Sequence, residues 1–312
     1  MRILTTWQGL EPSDKGASVA MGNFDGVHRG HQSVIGLARV EGLRLNAPLG
    51  VITFEPHPRQ VFAPDAPPFR LMNAEARAHR MEKLGVERLY EVPFNAALAA
   101  MSPREFAAEV LAKGLGVAHV VVGADFCFGN RRSGTATDLA AFGAEFGFGV
   151  TIATLVADAG EEISSTSIRT ALSEGRARDA ARMLGHWHRI EGEVIHGEKR
   201  GRELGFPTAN MNVAGLHLPR FGVYAVKIDV LSGAHKGTYD GAASLGIRPM
   251  FGDNVPNLET YLFDFKGDLY GADLSVALID YLRPELKFDG LPALIAQMDQ
   301  DCAKARAILA AL

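Results

Sequence analysis

The sequence lacks the features of secreted, membrane-spanning and nucleic-acid-binding proteins. It has only two cysteines, Cys127 and Cys302, which lie far apart and match no metal-binding spacing. No uninterrupted run of about 18 apolar residues occurs. The net charge of −4 comes with no stripe of Lys and Arg interleaved with aromatic residues. We therefore expect a protein of the reducing cytoplasm with no nucleic-acid or membrane partner, while its oligomeric state stays open.

The length of 312 residues predicts two domains. In residues 1–185, β-type runs alternate with helical patterns, which predicts a doubly wound α/β domain with a parallel sheet. In residues 186–312, short β-rich runs between Gly, Pro and Asp turns predict a small antiparallel β-barrel, followed by an amphipathic helix that begins near Leu291. The predicted sheet strands are 17–21, 49–54, 88–92, 119–123 and 149–156, the helices 32–45, 74–84, 103–113 and 138–146, and the barrel strands 190–196, 222–231, 239–245, 258–265 and 272–282.

A glycine-rich loop with two histidines follows the first predicted strand. It reads Met-Gly-Asn-Phe-Asp-Gly-Val-His-Arg-Gly-His over residues 21–31. Unpaired amides at a helix N-terminus favour phosphate, and glycines let a ligand approach the backbone. His28 and His31 could donate hydrogen bonds to a polyphosphate whose charge grows as pyrophosphate leaves. Neither a Walker loop nor a dinucleotide fingerprint is present, while a zinc pair or a plain turn remain alternatives.

The pattern His-x-Gly-His after a first strand resembles the nucleotidylyltransferase superfamily. A second segment, Ile-Ser-Ser-Thr-Ser-Ile-Arg over residues 163–169, resembles the other signature of that superfamily. Ser164, Ser165 and Thr166 can cap a helix and offer hydroxyls to phosphate, and Arg169 adds a delocalised cation one turn later. Alone this segment is an ordinary helix cap, but with the histidine loop it predicts an ATP clamp and adenylyl transfer.

Three more specific segments are residues 22–28, Thr-Phe-Glu-Pro-His-Pro at 53–58 and Val-Gly-Ala-Asp-Phe-Cys-Phe-Gly at 122–129. They resemble the FMN adenylyltransferase module of bacterial bifunctional riboflavin kinase/FMN adenylyltransferases, also called FAD synthetases, and the resemblance covers essentially the whole chain. It implies catalytic roles for His28 and His31. The implied ATP-binding residues are Gly22, Asn23, Phe24, Asp25, Gly26, Gly30, Ser164, Ser165, Thr166 and Arg169, and the implied flavin-binding residues are Asn23, Asp125, Phe126 and Phe128.

Two glycine-rich stretches, residues 192–197 and residues 201–210, follow one another in the predicted barrel domain. Their backbone amides can wrap a phosphate at Gly197, Gly201 and Gly205, and the side chains of Thr208 and Asn210 are oxygen donors suited to Mg²⁺. A β-turn with a polar tip is the alternative. The sequence Gly-Phe-Pro-Thr-Ala-Asn at 205–210 resembles the riboflavin kinase signature. The resemblance implies ATP as co-substrate and Mg²⁺ as cofactor.

Phosphorylation of a primary alcohol needs a group that accepts the hydroxyl proton, and Glu259 is our candidate. It lies in Leu-Glu-Thr-Tyr-Leu-Phe-Asp-Phe, which resembles an element of the kinase family. Arg283 also matches the family and is assigned to flavin binding, although an exposed strand glutamate and a surface arginine explain these residues equally well. Ser167, Ser244 and Met250 depart from the family, where Arg, Asn and Thr are common.

These observations predict an enzyme that converts riboflavin and ATP to FMN, and then FMN and ATP to FAD and pyrophosphate. Its partners are therefore the small molecules riboflavin, FMN and ATP. A nucleotidylyltransferase for another phosphorylated substrate and a flavin-binding regulator without catalysis are the alternatives. The regulator is disfavoured because the candidate catalytic and metal-binding side chains are all present.

Overall fold

The computed structural model describes residues 1–154, 157–158, 161–196, 205–247 and 256–312, with only the backbone of 157–158 and 161–162. The chain divides into two compact units. One consists of Met1–Pro67 and Arg77–Ile163, and the other of Pro68–Ala76 and Ser164–Leu312. No helix of the described ranges is long and apolar enough to cross a membrane.

The first unit is built on a parallel sheet of six strands. Its central strands are almost fully buried because both faces of the sheet are covered, which explains their continuous apolar runs. The sheet strands are β1 (Arg2–Leu4), β2 (Ser18–Met21), β3 (Leu49–Glu55), β4 (Arg88–Pro93), β5 (His119–Gly123) and β8 (Gly149–Ala153). Two short hairpins pair β6 (Cys127–Phe128) with β7 (Gly134–Thr135), and β9 (Ala157–Asp158) with β10 (Glu161–Glu162).

The strand order β1-β4-β3-β2-β5-β8 runs outward in both directions from β2. Strands β3 and β4 therefore lie on one side of β2, and strands β5 and β8 lie on the other side. Such a reversal point opens a crevice at the carboxyl ends of the strands, where doubly wound folds bind ligands. The loops that follow β2 and β5 both begin at this edge.

Helices with identifiable caps connect the strands. Helix α6 begins with a capping box, in which Thr135 and Asp138 satisfy each other's amides, and ends at Gly147 in the left-handed conformation. The helices are α1 (Arg29–Leu45), α2 (Pro58–Phe62), α3 (Ala74–Lys83), α4 (Ala96–Ala100), α5 (Pro103–Glu105), which continues as a π-helix over Phe106–Gly114, and α6 (Ala136–Phe146). Single 3₁₀ turns cover Pro12–Asp14 and Asn130–Arg132.

The second unit contains a closed barrel with the strand order β11-β12-β15-β14-β13-β16, and every neighbouring pair is antiparallel. Alternate residues face its apolar core, among them Met211, Leu258 and Leu274. The strands are β11 (Arg189–Ile195), β12 (Ala209–Asn212), β13 (Gly222–Val230), β14 (Gly237–Ile247), β15 (Pro256–Leu262) and β16 (Asp273–Arg283). The helices are α7 (Ser165–Ser173), α8 (Ala177–Leu184) and the C-terminal α9 (Leu291–Ala310), which packs on the barrel through Ala305 and Leu309.

The predicted fold class is confirmed, and most predicted elements agree with the structure to within two or three residues at each end. The four two-residue hairpin strands, one strand of the sheet and one strand of the barrel are absent from the prediction. The edge strand β1 has only three residues, two of them exposed, so it carries no alternating pattern. The predicted glycine-rich segment ends at Asn210 and residues 211–212 are assigned to no element, whereas residues 209–212 form β12. The alternation of Ala209 and Met211 with two asparagines is too short to indicate a strand.

Candidate functional site

The loop after β2 holds the two histidines in a fixed, face-to-face arrangement. The rings of His28 and His31 stack with their centroids 3.6 Å apart and an angle of 19° between the planes. A Cβ atom on Gly30 would lie 3.1 Å from the His28 ring, so a glycine between the histidines leaves room for this ring position. Phe24 packs beside His31 at 5.1 Å and is itself buried. The structure thus brings together the two side chains predicted to act in adenylyl transfer.

His28 is the N-cap of α1. Its Nδ1 accepts a hydrogen bond of 3.3 Å from the backbone N–H of His31. Because Nδ1 is the acceptor, the neutral ring carries its proton on Nε2, which is the remaining donor of that side chain. Nδ1 of His31 is buried and has no hydrogen-bond partner in the described part of the chain. The loop therefore combines one oriented donor with one unsatisfied ring nitrogen.

Burial keeps both histidines neutral at neutral pH. The low-dielectric surroundings lower the pKa of His28 to about 4, because they disfavour the charged ring. The pKa of His31 also lies well below its ordinary value, mainly through burial and further through the neighbouring His28. The two rings can therefore donate neutral N–H groups without the repulsion of two adjacent cations.

The backbone of this loop is strained at two positions. Phe24 and Val27 have φ angles of 51° and 45°, in the left-handed region that side-chain-bearing residues rarely occupy. For the β-branched Val27 this conformation is especially costly. Buried packing holds both residues, and Gln32 fixes the loop further by donating from Nε2 to the Val27 carbonyl at 2.8 Å. The loop shape is therefore imposed by its surroundings.

The predicted flavin segment follows β5, at the same sheet edge. Phe126 and Phe128 stack at 5.8 Å, and Phe128 also packs against Phe106. Phe128 is buried, whereas the side chains of Asp125 and Asn23 are exposed. The half-buried ring of Phe126 and the exposed carboxylate of Asp125 thus place an apolar group and a charged group next to each other at this edge.

The structure adds Arg77, which the sequence did not single out. Its side chain is 1% exposed, and Nη2 donates to Glu55 at 2.8 Å and to Glu91 at 2.7 Å. Glu55 ends β3 immediately before the cis peptide bond to Pro56. Arg77 therefore ties the end of β3 to β4, and only the fold brings these three residues together.

The Ser164–Arg169 segment lies in the second compact unit. Ser164 caps α7, accepting from the backbone N–H of Ser167 at 3.2 Å, while the Ser167 hydroxyl accepts from the Ser164 amide at 3.1 Å. Ser167, which stands where the family commonly has Arg, thus completes a capping box. Arg169 donates to Thr166 at 3.4 Å and to the carbonyl of Phe69 at 3.3 Å. The use of this segment and the histidine loop by one ATP molecule stays a prediction.

Asn210 and Glu259 face each other across the barrel strands β12 and β15 as register partners. Both side chains are buried, with exposed fractions of 9% and 8%. The Asn210 amide lies 3.5 Å from the carbonyl of Thr208. One predicted metal ligand, Asn210, and the predicted proton acceptor therefore share a face of the barrel. Ser244 on β14, where the family commonly has Asn, is the other register partner of Glu259.

Asn257 is a further side chain of this face that the sequence did not reveal. Its Nδ2 donates to the Asn210 Oδ1 atom at 3.0 Å and to Glu259 Oε1 at 3.3 Å. Gly205 has a φ of 84°, a turn conformation that suits glycine. Gly197, Gly201 and Met250 lie outside the described residues.

Arg283 has a structural partner. Its guanidinium donates from Nε and Nη2 to the Asp301 carboxylate of α9 at 2.7 to 3.0 Å. Asp301 is buried and also accepts from Gln297 at 3.0 Å. This bidentate pair joins β16 to the C-terminal helix. The assignment of Arg283 to flavin binding remains a prediction.

Two family models match the chain in succession. The model described as FAD synthetase matches residues 10–167, and the one described as riboflavin kinase matches residues 184–309. A bifunctional riboflavin kinase/FMN adenylyltransferase of Pseudomonas fluorescens is 40% identical over 99% of this chain and 98% of its own length. The similarly described protein of Escherichia coli K12 is 37% identical over 94% of this chain and 92% of its own length.

A protein of Listeria monocytogenes with the same description is 40% identical over 97% of this chain and 95% of its own length. A solved structure from Streptococcus pneumoniae, described as a macrolide-efflux protein, is 30% identical and covers 96% of both chains with a TM-score of 0.82. Similarity to relatives therefore extends over nearly the whole chain and includes both compact units.

Proposed function

The chain belongs to the bifunctional riboflavin kinase/FMN adenylyltransferase family, and we propose that its two reactions take place at two separate sites. The chain phosphorylates riboflavin with ATP to give FMN, and adenylylates FMN with a second ATP to give FAD and pyrophosphate. The observation that carries the proposal is the presence of two distinct sets of polar side chains, the stacked histidines in the first unit and the Asn210 and Glu259 pair in the barrel.

We assign the kinase to residues 186–312 and the adenylyltransferase to residues 1–185. The second family region begins at residue 184, which supports this boundary. The division into compact units falls after Ile163 instead, so residues 164–185 make their contacts chiefly within the second unit. We also propose that the chain works in the cytoplasm, where its two unpaired cysteines would stay reduced.

At the adenylyl-transfer site, His28 and His31 are proposed to bind the ATP phosphates. Nε2 of His28 is free of its own capping bond, which uses Nδ1, and can donate to a phosphate oxygen. As the FMN phosphate attacks the α-phosphorus and pyrophosphate leaves, negative charge grows on the departing oxygens. Preoriented N–H donors and the N-terminus of α1 would stabilise that charge, since neither has to reorganise during the reaction.

The remaining residues of this site are proposed to orient the substrates. Backbone amides of residues 22–26 and Gly30 would approach the nucleotide, and the hydroxyls of Ser164–Thr166 with Arg169 would clamp its phosphates. Asn23, Asp125, Phe126 and Phe128 would hold the flavin. The stacking of Phe126 on Phe128 supports this role, because flat aromatic side chains suit the apolar ring system of a flavin.

At the kinase site, Thr208 and Asn210 are proposed to hold Mg²⁺. Their oxygens, together with the neighbouring carboxylate of Glu259, are the hard donors that this ion prefers, so the side chains present fit it. When bound, the ion would neutralise charge on the ATP phosphates. The glycines at 197, 201 and 205 are proposed to wrap those phosphates with backbone amides.

Glu259 is proposed to accept the proton of the riboflavin primary alcohol as its oxygen attacks the γ-phosphorus. The carboxylate is buried and hydrogen-bonded, so its orientation is restricted before the substrate arrives. Transfer of the phosphoryl group then leaves ADP, and the proton resides on Glu259 until solvent removes it. Arg283 is proposed to border the flavin in this domain.

The direct test is to incubate the protein with riboflavin, ATP and Mg²⁺ and to separate the flavins by chromatography with fluorescence detection. We expect FMN to appear first and FAD later. A matched sample with Mg²⁺ removed by chelation should make neither product. Absence of flavin turnover in the complete mixture would instead favour a nucleotidylyltransferase for another substrate, and tight flavin binding without ATP consumption would favour a regulator.

A further inference from the structure

Asn257 connects the two side chains on which the kinase site depends. Its Nδ2 group lies 3.0 Å from Asn210 Oδ1 and 3.3 Å from Glu259 Oε1. An amide NH₂ group has two hydrogens, so it can donate to both oxygens at the same time. The bridge therefore links a predicted metal ligand to the predicted proton acceptor.

The barrel register explains why this bridge forms. Asn210 on β12 lies directly opposite Glu259 on β15. Asn257 lies two residues before Glu259 on the same strand, and alternate residues of a strand share a face. The intervening Leu258 is buried in the barrel core. Asn257, Asn210 and Glu259 consequently share the other face, within reach of one another.

The bridge places a hydrogen-bond donor between two acceptor oxygens. The amide oxygen of Asn210 and the carboxylate of Glu259 are both acceptors, and both side chains are buried, so neither can stabilise the other. A neutral donor between them gives each oxygen a hydrogen bond, adds no positive charge that would compete with a cation, and selects the amide orientation in which Oδ1 of Asn210 faces Asn257.

We propose that Asn257 is a positioning residue of the kinase site, which holds the Asn210 oxygen and the Glu259 carboxylate in the arrangement needed for phosphoryl transfer. This inference rests on the proposed roles of Asn210 and Glu259. It adds a residue that would not touch the substrate and would act through those two side chains. Its loss should therefore lower kcat more than it raises KM.

The test compares Asn257→Leu, which removes the donor at similar volume, with Asn257→Ala, which also lacks the NH₂ group, is smaller and adds no charge beside Glu259. Thr238→Val is the matched control, because Thr238 donates to the carboxylate of Asp229 at 2.7 Å on an exposed part of the same barrel. For both Asn257 variants we expect kcat for riboflavin phosphorylation to fall about 10- to 100-fold, the effect of losing a hydrogen bond to a charged group.

In the same variants, KM for riboflavin should change less than about threefold and the FMN adenylyltransferase rate should stay at the wild-type value. A calorimetric titration of ADP at a series of Mg²⁺ concentrations gives a readout apart from turnover. For Asn257→Leu, the Mg²⁺ concentration for half-maximal ADP binding should rise, whereas Thr238→Val should leave all of these quantities unchanged.

Wild-type kcat in Asn257→Leu would overturn the proposal. If that variant loses thermal stability, Asn257→Ala decides, since low kcat at the wild-type melting temperature supports a positioning role and wild-type kcat refutes it. The proposed function is tested separately. A wild-type protein that does not phosphorylate riboflavin, or a Glu259→Gln variant with full activity, would contradict the assigned site whatever Asn257 does.

Discussion

The histidine pair makes a quantitative prediction about protonation. Burial lowers the pKa of His28 from 6.5 to about 4. This difference corresponds to roughly 3 kcal/mol between the neutral and charged rings. His28 should therefore remain neutral as the pH of the ligand-free protein is lowered from 8 to about 5. Since the rings of His28 and His31 are stacked, protonation of one ring affects protonation of the other, and each observed midpoint partly reflects both.

The assay is NMR titration of protein with isotope-labelled histidine side chains. His28→Asn identifies the resonance and keeps a good helix N-cap, so it is the matched control for α1. We expect the His28 ring to titrate near pH 4. A His28 midpoint between pH 6 and 7 would refute the reasoning that burial sets its protonation.

The same shift has a consequence for stability. In the unfolded chain His28 takes up a proton near pH 6.5, whereas in the folded chain it does so only near pH 4. The unfolded state therefore binds more protons between these values, and the free energy of unfolding should fall as the pH is lowered through that window. Chemical denaturation at several pH values should show a smaller loss for His28→Asn than for the wild type.

Two further predictions concern contacts in the second unit. Ser164→Ala removes the acceptor for the Ser167 amide, so urea denaturation should show a free energy of unfolding lower by about 1 kcal/mol. Ser164→Thr keeps a hydroxyl acceptor and should retain most of the wild-type stability. Equal stability of all three proteins would argue against the cap. Asp301→Asn breaks the buried ion pair with Arg283 and should lower the free energy of unfolding by about 3 kcal/mol. The exposed Asp264, changed to Asn, should leave the melting temperature nearly unchanged, and equal effects of the two substitutions would contradict the role of burial.

The histidine loop could be predicted from the sequence to a large extent. The order of strand, glycine-rich turn and helix identified the position of His28 and His31, because helix N-termini and glycines have local signatures. The stacking of the rings could not be predicted. The loop that holds the rings has a left-handed backbone at Phe24 and Val27, a conformation that these residue types do not favour locally.

The kinase site was only partly predictable for a similar reason. Thr208, Asn210 and Glu259 were named from short segments, but their proximity depends on the pairing of β12 with β15. No local sequence pattern indicates Asn257, because its hydrogen bond to Asn210 joins residues 47 positions apart in the chain. Arg77 was missed likewise, since its partners Glu55 and Glu91 lie on different strands.

The central claim is that one chain contains two separable sites. The most direct measurement mixes equal amounts of His28→Ala and Asn210→Ala proteins with riboflavin, ATP and Mg²⁺, and follows FMN and FAD by chromatography. Alone, His28→Ala should stop at FMN, and Asn210→Ala should make FAD only when FMN is supplied. The mixture should make FAD from riboflavin, because FMN released by one protein can be used by the other. Loss of both activities in either well-folded variant, or failure of the mixture to make FAD, would contradict the account.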